Sequence, residues 1–200
     1  PTGPYMGGFR RGAGMARKRI LGFPGMANTF HVMSRTTGGE RLFGDVEKEA
    51  FTRIMRRLER FAGVRILTYS IMGNHFHLLL RVPDQAQFTT QFHGEDGEER
   101  LFSHLRILYS KRFVASLRHE LDDLRKQGMQ AAADELIGRF HRRFCNLECY
   151  VKELKERFSR WFNKHHGRRG TLWMERFKSV IVENGDALRT MAAYIDLNPV

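Results

Sequence analysis

Residues 64–82 carry the feature that most constrains the fold. Two runs rich in β-branched and apolar residues, 64–72 and 75–82, are separated by the pair Gly73-Asn74, a strong two-residue hairpin signal. Such a unit demands an antiparallel sheet and excludes a purely parallel architecture. The second run alternates: Phe76, Leu78, Leu80 and Val82 share one face, and His75, His77, Leu79 and Arg81 share the other. One face is pure core, while the other presents two imidazoles.

The remaining elements follow from periodicity and punctuation. Residues 29–35 (Thr-Phe-His-Val-Met-Ser-Arg) read as a strand closed by a Thr-Thr-Gly-Gly turn. Asp45 is placed as the N-cap of a helix whose stripe is Val46, Ala50, Phe51, Ile54, Met55, Leu58 and Phe61, stopped by Gly63. Its outer face carries Arg53, Arg56, Arg57 and Arg60, open to solvent or to DNA. Residues 85–97 are polar and turn-rich, which predicts a loop. A long helix is expected over 98–127, a second over 129–144, and a third from the cap Asn146 through His165. Residues 177–183 alternate as a strand, Asp186 is placed as another N-cap, and a last helix runs to about Leu197, stopped by Pro199. The order strand, helix, hairpin, helical block, strand, helix predicts an α+β fold: an antiparallel sheet with helices largely on one face.

Charge then speaks to the partner. The 200 residues hold 34 Lys plus Arg against 22 Asp plus Glu, a formal +12, with pI near 10.3. That surplus suits a polyanion, nucleic acid first, because phosphates reward Lys and Arg through counterion release. No apolar run approaches the roughly 20 residues of a membrane span, so no membrane partner is expected. Residues 1–14 are Gly-rich and basic and read as a flexible leader, with the ordered protein expected from Met15. Cys145 and Cys149, four apart in a helical stretch, read as two inert thiols in a reducing compartment rather than a disulfide or a metal site.

The sharpest chemical signal is Asn74-His75-Phe76-His77. Histidines at i and i+2 on a strand lie roughly 6 to 7 Å apart on one face, a spacing from which both can reach one divalent ion. Two solvent-facing or hydrogen-bonded histidines would give the same short pattern, so a third ligand has to be found. A histidine-triad nucleotide hydrolase would carry a further His where Leu79 stands, and a cupin-like site would need an all-β barrel. Tyr194 and Asn198, four apart, project from one face of the last helix. Asn198 offers a carbonyl oxygen suited to Mg²⁺ or Mn²⁺. Tyr194 offers a phenol which a cation could favour as phenolate beside a phosphate. Taken alone, Tyr194 is better accounted for by packing with its hydroxyl at the surface.

In these motifs the chain resembles the HUH single-tyrosine transposases, and more closely the REP-associated tyrosine transposases. The resemblance runs in order through Met15-Ala16-Arg17-Lys18-Arg19, Phe23-Pro24-Gly25, Phe30-His31-Val32 with Ser34-Arg35, and Leu42-Phe43-Gly44-Asp45. It continues through Met72 to Leu80, Trp161-Phe162-Asn163, Trp173 with Arg176-Phe177-Lys178-Ser179, and Tyr194-Ile195-Asp196-Leu197-Asn198-Pro199-Val200. It implies a ferredoxin-like sheet with His75 and His77 on the central strand and a tyrosine helix laid across it. It also implies that His75, His77 and Asn198 hold one Mg²⁺ or Mn²⁺ and that Tyr194 attacks a phosphate of single-stranded DNA. The product would be a 5′-phosphotyrosyl enzyme and a free 3′-hydroxyl, able to rejoin without a nucleotide cofactor. Relatives recognise imperfect-palindrome hairpins, for which Arg17, Lys18, Arg19, Arg35, Arg168, Arg169, Arg176 and Lys178 are the candidate contacts.

The catalytic domain would then span 15–200, act as monomer or homodimer in the cytoplasm near the nucleoid, and carry a helical insertion at about 98–144. Gly73 stands where the family usually has Pro, and Thr36-Thr37-Gly38-Gly39 replaces a Gly-rich basic loop. Two other readings remain: a noncatalytic nucleic-acid-binding protein, and a replication or conjugative nuclease of the HUH group. The latter often carries a second tyrosine or a third metal-binding His.

Overall fold

The computed structural model describes residues 22–23, 25–183 and 185–197. Four strands, β1 (Asn28–Arg35), β2 (Arg65–Ile71), β3 (His75–Val82) and β4 (Lys178–Ile181), form one antiparallel sheet in the order β2-β3-β1-β4. With α1 (Asp45–Ala62) connecting β1 to β2 and α6 (Leu147–His165) preceding β4, the sheet has the expected ferredoxin-like topology. The fold is α+β, as its alternating patterns predict.

The hairpin closes where the sequence places it. The Met72 N–H donates to the His75 carbonyl at 2.8 Å across Gly73-Asn74. Phe30 and Val32 of β1 and Phe76, Leu78 and Leu80 of β3 turn to one side. There they meet Phe51, Met55 and Leu58 of α1 and Val151, Leu154 and Phe158 of α6, all essentially inaccessible. Phe51 sits at the centre, its ring 4.9 Å from Phe76 and 5.1 Å from Phe158. Burying so many large side chains, each contributing about 1.5–3 kcal/mol, makes this layer the stable platform of the molecule.

The opposite face of the sheet is covered by α7 (Asp186–Asp196). A small separate cluster holds it: Leu79 of β3, Val182 and Ile195 are buried, with Leu188, Met191 and Ala192 packed around them. Ile195 is the buried residue of α7. Thr68, which follows a bulge in β2, donates its hydroxyl to the Asp196 carboxylate and ties the helix end to the sheet edge.

Several boundaries differ from the sequence expectation. Asp45 is the first helical residue, and Gly44 is the N-cap. The Gly44 N–H donates to Glu47 Oε2 at 2.9 Å, so the carboxylate three residues on supplies the cap that Asp45 was expected to supply. Val46, placed in the apolar stripe, is instead 56% exposed. Asp186 likewise lies inside α7, behind Gly185. The strand expected over 177–183 narrows to β4.

The polar segment 85–97 is not a plain loop: it contains α2 (Gln85–Thr89), capped by Asp84, and a 3₁₀ turn (Thr90–Phe92). Phe88 and Phe92 anchor it against Phe144 at 5.6 and 5.2 Å between ring centroids. Phe88 also fills the space beside Gly63, where a Cβ would approach its ring to 2.4 Å; with φ of 71°, that helix stop requires glycine twice over. The helix expected over 98–127 is two, α3 (Gly97–Leu105) and α4 (Lys111–Lys126). They break at 106–110, where Ser110 caps α4 by accepting from the Phe113 N–H at 3.1 Å. With α5 (Gln130–His141), these helices extend the main apolar cluster through Leu105, Leu117, Leu121, Leu136 and Phe140.

Candidate active site

The site lies between the α7 side of the sheet and α7 itself. Strand alternation on β3 aims His75 and His77 at this face, and Leu79 under α7 continues the row. The two imidazoles are 5.2 Å apart between centroids. Because Ile195 is pinned beneath the helix, its neighbour Tyr194 emerges at the helix edge with its ring edge-on to His77, 5.9 Å between centroids. The phenol is 52% exposed and so open to a macromolecular substrate. The sheet topology therefore brings the histidine pair and the tyrosine together. Asn198, expected as the third ligand, lies outside the described residues, as do Arg17, Lys18 and Arg19.

A third imidazole joins them. His31 of β1 lies edge to edge with His77, with centroids 5.0 Å apart and planes within 6°, and its Nε2 lies 2.8 Å from His77 Nδ1. The local pattern Phe30-His31-Val32 gives His31 no role. Its signal was available only once β1 is known to pair with β3, which places His31 opposite Leu79 on the histidine face.

Hydrogen bonding restricts the tautomers. His75 Nδ1 is 2.6 Å from Asn74 Oδ1, while Asn74 Nδ2 donates to the Gly39 carbonyl at 3.1 Å. An amide oxygen only accepts, so His75 Nδ1 carries the proton and Nε2 keeps a lone pair. The His31 contact can do the same for His77: with His31 accepting, His77 Nδ1 donates and its Nε2 is bare. Protonation is opposed throughout. Burial pushes His77 down to about 4, assisted by the neighbouring His31, His75 and Arg35. Burial also lowers His31, and burial and then Arg35 lower His75.

Neutral imidazoles with free Nε2 lone pairs are what a divalent cation requires. Imidazole donors suit Mn²⁺ and the later transition metals better than Mg²⁺, so of the two expected cations Mn²⁺ fits this donor set better. Arg35 adds a fixed positive charge beside the pair, suited to a phosphate.

Of the other basic candidates, Lys178 of β4 shares the histidine face, paired with Met33 of β1, which in turn pairs with His77. Arg168 pairs with Glu40 at 3.2 Å, Arg176 with Glu148 at 3.0 Å and Lys178 with Glu175 at 3.3 Å, and Arg169 is exposed. Exposed pairs of this kind contribute little to stability and exchange readily for phosphate. Cys145 and Cys149 stay apart from the site as free thiols, both pushed up chiefly by burial, Cys145 to about 12. Among the described residues no helix is long and apolar enough to cross a membrane.

This architecture is similar to that of a REP-associated tyrosine transposase solved bound to a REP hairpin, with TM-score 0.52 and 13% identity over 92% of this chain and 73% of that one. At that identity the likeness shows a shared transposase-like fold. A second similar structure, described as a transposase of Deinococcus radiodurans R1, has TM-score 0.42 and 15% identity over 91% of this chain and 96% of that one. No protein-family model and no curated protein matches the chain.

Proposed function

We propose that the protein is a metal-dependent single-stranded DNA endonuclease and strand transferase of the HUH tyrosine-transposase type. The observation that carries this reading is the edge-on contact of Tyr194 with His77, on the sheet face that also holds His75 and His31. A hairpin substrate is supported by the likeness to a chain solved on a REP hairpin, together with the formal +12 charge.

His75, His77 and Asn198 would hold one Mn²⁺ or Mg²⁺. When bound, that cation polarises a phosphoryl oxygen and favours the phenolate at neutral pH. Arg35 holds the scissile phosphate and neutralises charge that grows on it. Tyr194 Oη, its proton lost to water, attacks phosphorus; the bond from phosphorus to the 3′-oxygen breaks, and that oxygen takes a proton to become a free hydroxyl. The fragment downstream of the break stays on the enzyme, its 5′-phosphate joined to the tyrosine. A second 3′-hydroxyl reverses the step on a new strand, so the bond energy is conserved and no nucleotide cofactor is consumed.

The test is a 3′-labelled single-stranded hairpin set incubated with protein and Mn²⁺. A denaturant-resistant labelled adduct is expected, absent with Tyr194→Phe although that variant still binds DNA. Binding without an adduct from the wild type, across the set, would establish a noncatalytic nucleic-acid-binding protein instead.

A further inference from the structure

On the other side of the sheet from Tyr194, the first turn of α1 meets the last turn of α6. Glu47, His165 and His166 come together there, each offering a ligand atom within 4.8 Å of the others. We propose that these three residues form a second divalent-cation site, independent of the histidine pair on β3 and suited to Zn²⁺ or a similar borderline ion. Two imidazoles and one carboxylate, with water as fourth ligand, make a common donor set for such an ion, and soft sulfur ligands are not needed.

The geometry is largely prepared. Glu47 Oε1 is 2.9 Å from His166 Nε2, while Glu47 Oε2 accepts the Gly44 N–H at 2.9 Å. The carboxylate is thus held from behind, nearly buried, with one oxygen aimed at the imidazoles. Both rings are braced by an aromatic side chain four residues earlier: His165 lies 5.0 Å from Trp161 at 11°, and His166 lies 4.3 Å from Phe162 at 32°. His165 is the last residue of α6 and His166 is its C-cap, with φ of −101° and ψ of 10°. That departure from helical backbone lets consecutive side chains meet, their rings 5.0 Å apart and nearly perpendicular. Donor atoms around a tetrahedral ion with bonds of about 2.0–2.1 Å stand ~3.4 Å from one another. With all three ligand atoms already within 4.8 Å of one another and the Glu47–His166 pair at 2.9 Å, small rotations of the exposed histidine side chains reach that spacing.

An ion here would do more than join two helices. The chain leaving His166 carries Arg168 and Arg169 and then pairs with the end of β1, where the Thr37 N–H donates to the Leu172 carbonyl at 3.0 Å and Trp173 bridges Thr36. Thr36 follows Arg35, so the clamp would fix the path of a basic segment ending next to the phosphate-facing arginine.

The experiment uses the full chain, stripped with chelator and titrated with Co²⁺ as a spectroscopic stand-in for Zn²⁺. His75→Gln/His77→Gln serves as the background, which removes the β3 pair. That background should bind one Co²⁺ per chain, show a visible absorption band of low-coordinate cobalt, and melt at a higher temperature with the metal than without it. Adding His165→Gln, an exposed position, should remove the band and weaken Co²⁺ affinity at least about tenfold while leaving the far-UV spectrum unchanged. A background protein with no band and no metal-dependent rise in Tm overturns the proposal, and so does a band that survives His165→Gln. DNA cleavage plays no part in these readouts, so failure of the catalytic reading would leave the result intact.

Discussion

Ile195→Ala tests how the tyrosine is delivered to the histidines. In α7 Ile195 alone is buried, and its partners on the sheet side are Leu79 and Val182. Replacing a fully buried Ile by Ala costs about 2–5 kcal/mol, through lost transfer energy and the cavity left behind. The rest of the helix has little to resist that loss: Leu188, Met191 and Ala192 are only partly buried, and the Thr68–Asp196 hydrogen bond is exposed. A loss of ~2.7 kcal/mol shifts a docking equilibrium about a hundredfold toward the undocked helix. The main core on the opposite face, with Phe51, Phe76 and Phe158, keeps its contacts. The variant should therefore melt within a few degrees of wild type, whereas Phe76→Ala, which opens that core, should melt far lower. Hydrogen exchange read by peptide mass should show residues 186–196 exchanging at least tenfold faster, with β1 and β3 unchanged, and DNA-adduct formation should fall in proportion. A uniform loss of protection across the sheet, or unchanged protection in α7 together with a large drop in Tm, would refute the claim that the helix docks as its own weak unit.

Two further expectations rest on burial. Cys145, at about 12, holds on the order of 10⁻⁴ of its thiol as thiolate at pH 8, so iodoacetamide should modify it orders of magnitude more slowly in the native protein than in denaturant; labelling at the unfolded rate would contradict the packing described. His104 and His141 in the helical block are both lowered by burial, His141 further by the charge on His93. In the unfolded chain they take up protons near 6.5, whereas the folded protein resists doing so. Their contribution is thus complete above about pH 6.5 and is lost as pH falls below it, so denaturant midpoints should drop between pH 7.5 and 5.0 and drop less in His104→Gln.

What the sequence made readable follows the range of each signal. The β3 alternation and the Gly73-Asn74 turn are local, and both survive intact because nothing distant competes with them. Caps slipped by one residue at Gly44 and Gly185 because an acidic residue in the first turn marks the same helix start whether it caps or merely follows the cap. The single helix expected over 98–127 failed for another reason. Leu101, Leu105 and Leu108 keep helical spacing into the break, and Leu108 is buried although the backbone there has turned. The segment 85–97 reads as a loop because Phe88 and Phe92, two apolar residues in a polar run, find their partners in Gly63 and Phe144 rather than nearby.

The site divides along the same line. His75, His77 and Tyr194 were legible as residues, but their meeting depends on α7 crossing the sheet, which no local pattern encodes. His31 stands 46 positions from His77, and Glu47 stands 119 from His166. Each is joined to its partner by topology: one by the β1–β3 pairing, the other by the packing of α1 on α6. Both cross-element contacts are of a kind that selection for folding alone does not require. An imidazole buried against another imidazole gives up solvation for one weak hydrogen bond, and an apolar pair on β1 and β3 would hold the sheet better. The same sheet stabilises its other face with Phe76, Leu78 and Leu80. That a sheet should fill one face with hydrocarbon and, on the other, crowd three imidazoles beneath a helix-borne tyrosine is the asymmetry a chemical function explains and stability does not.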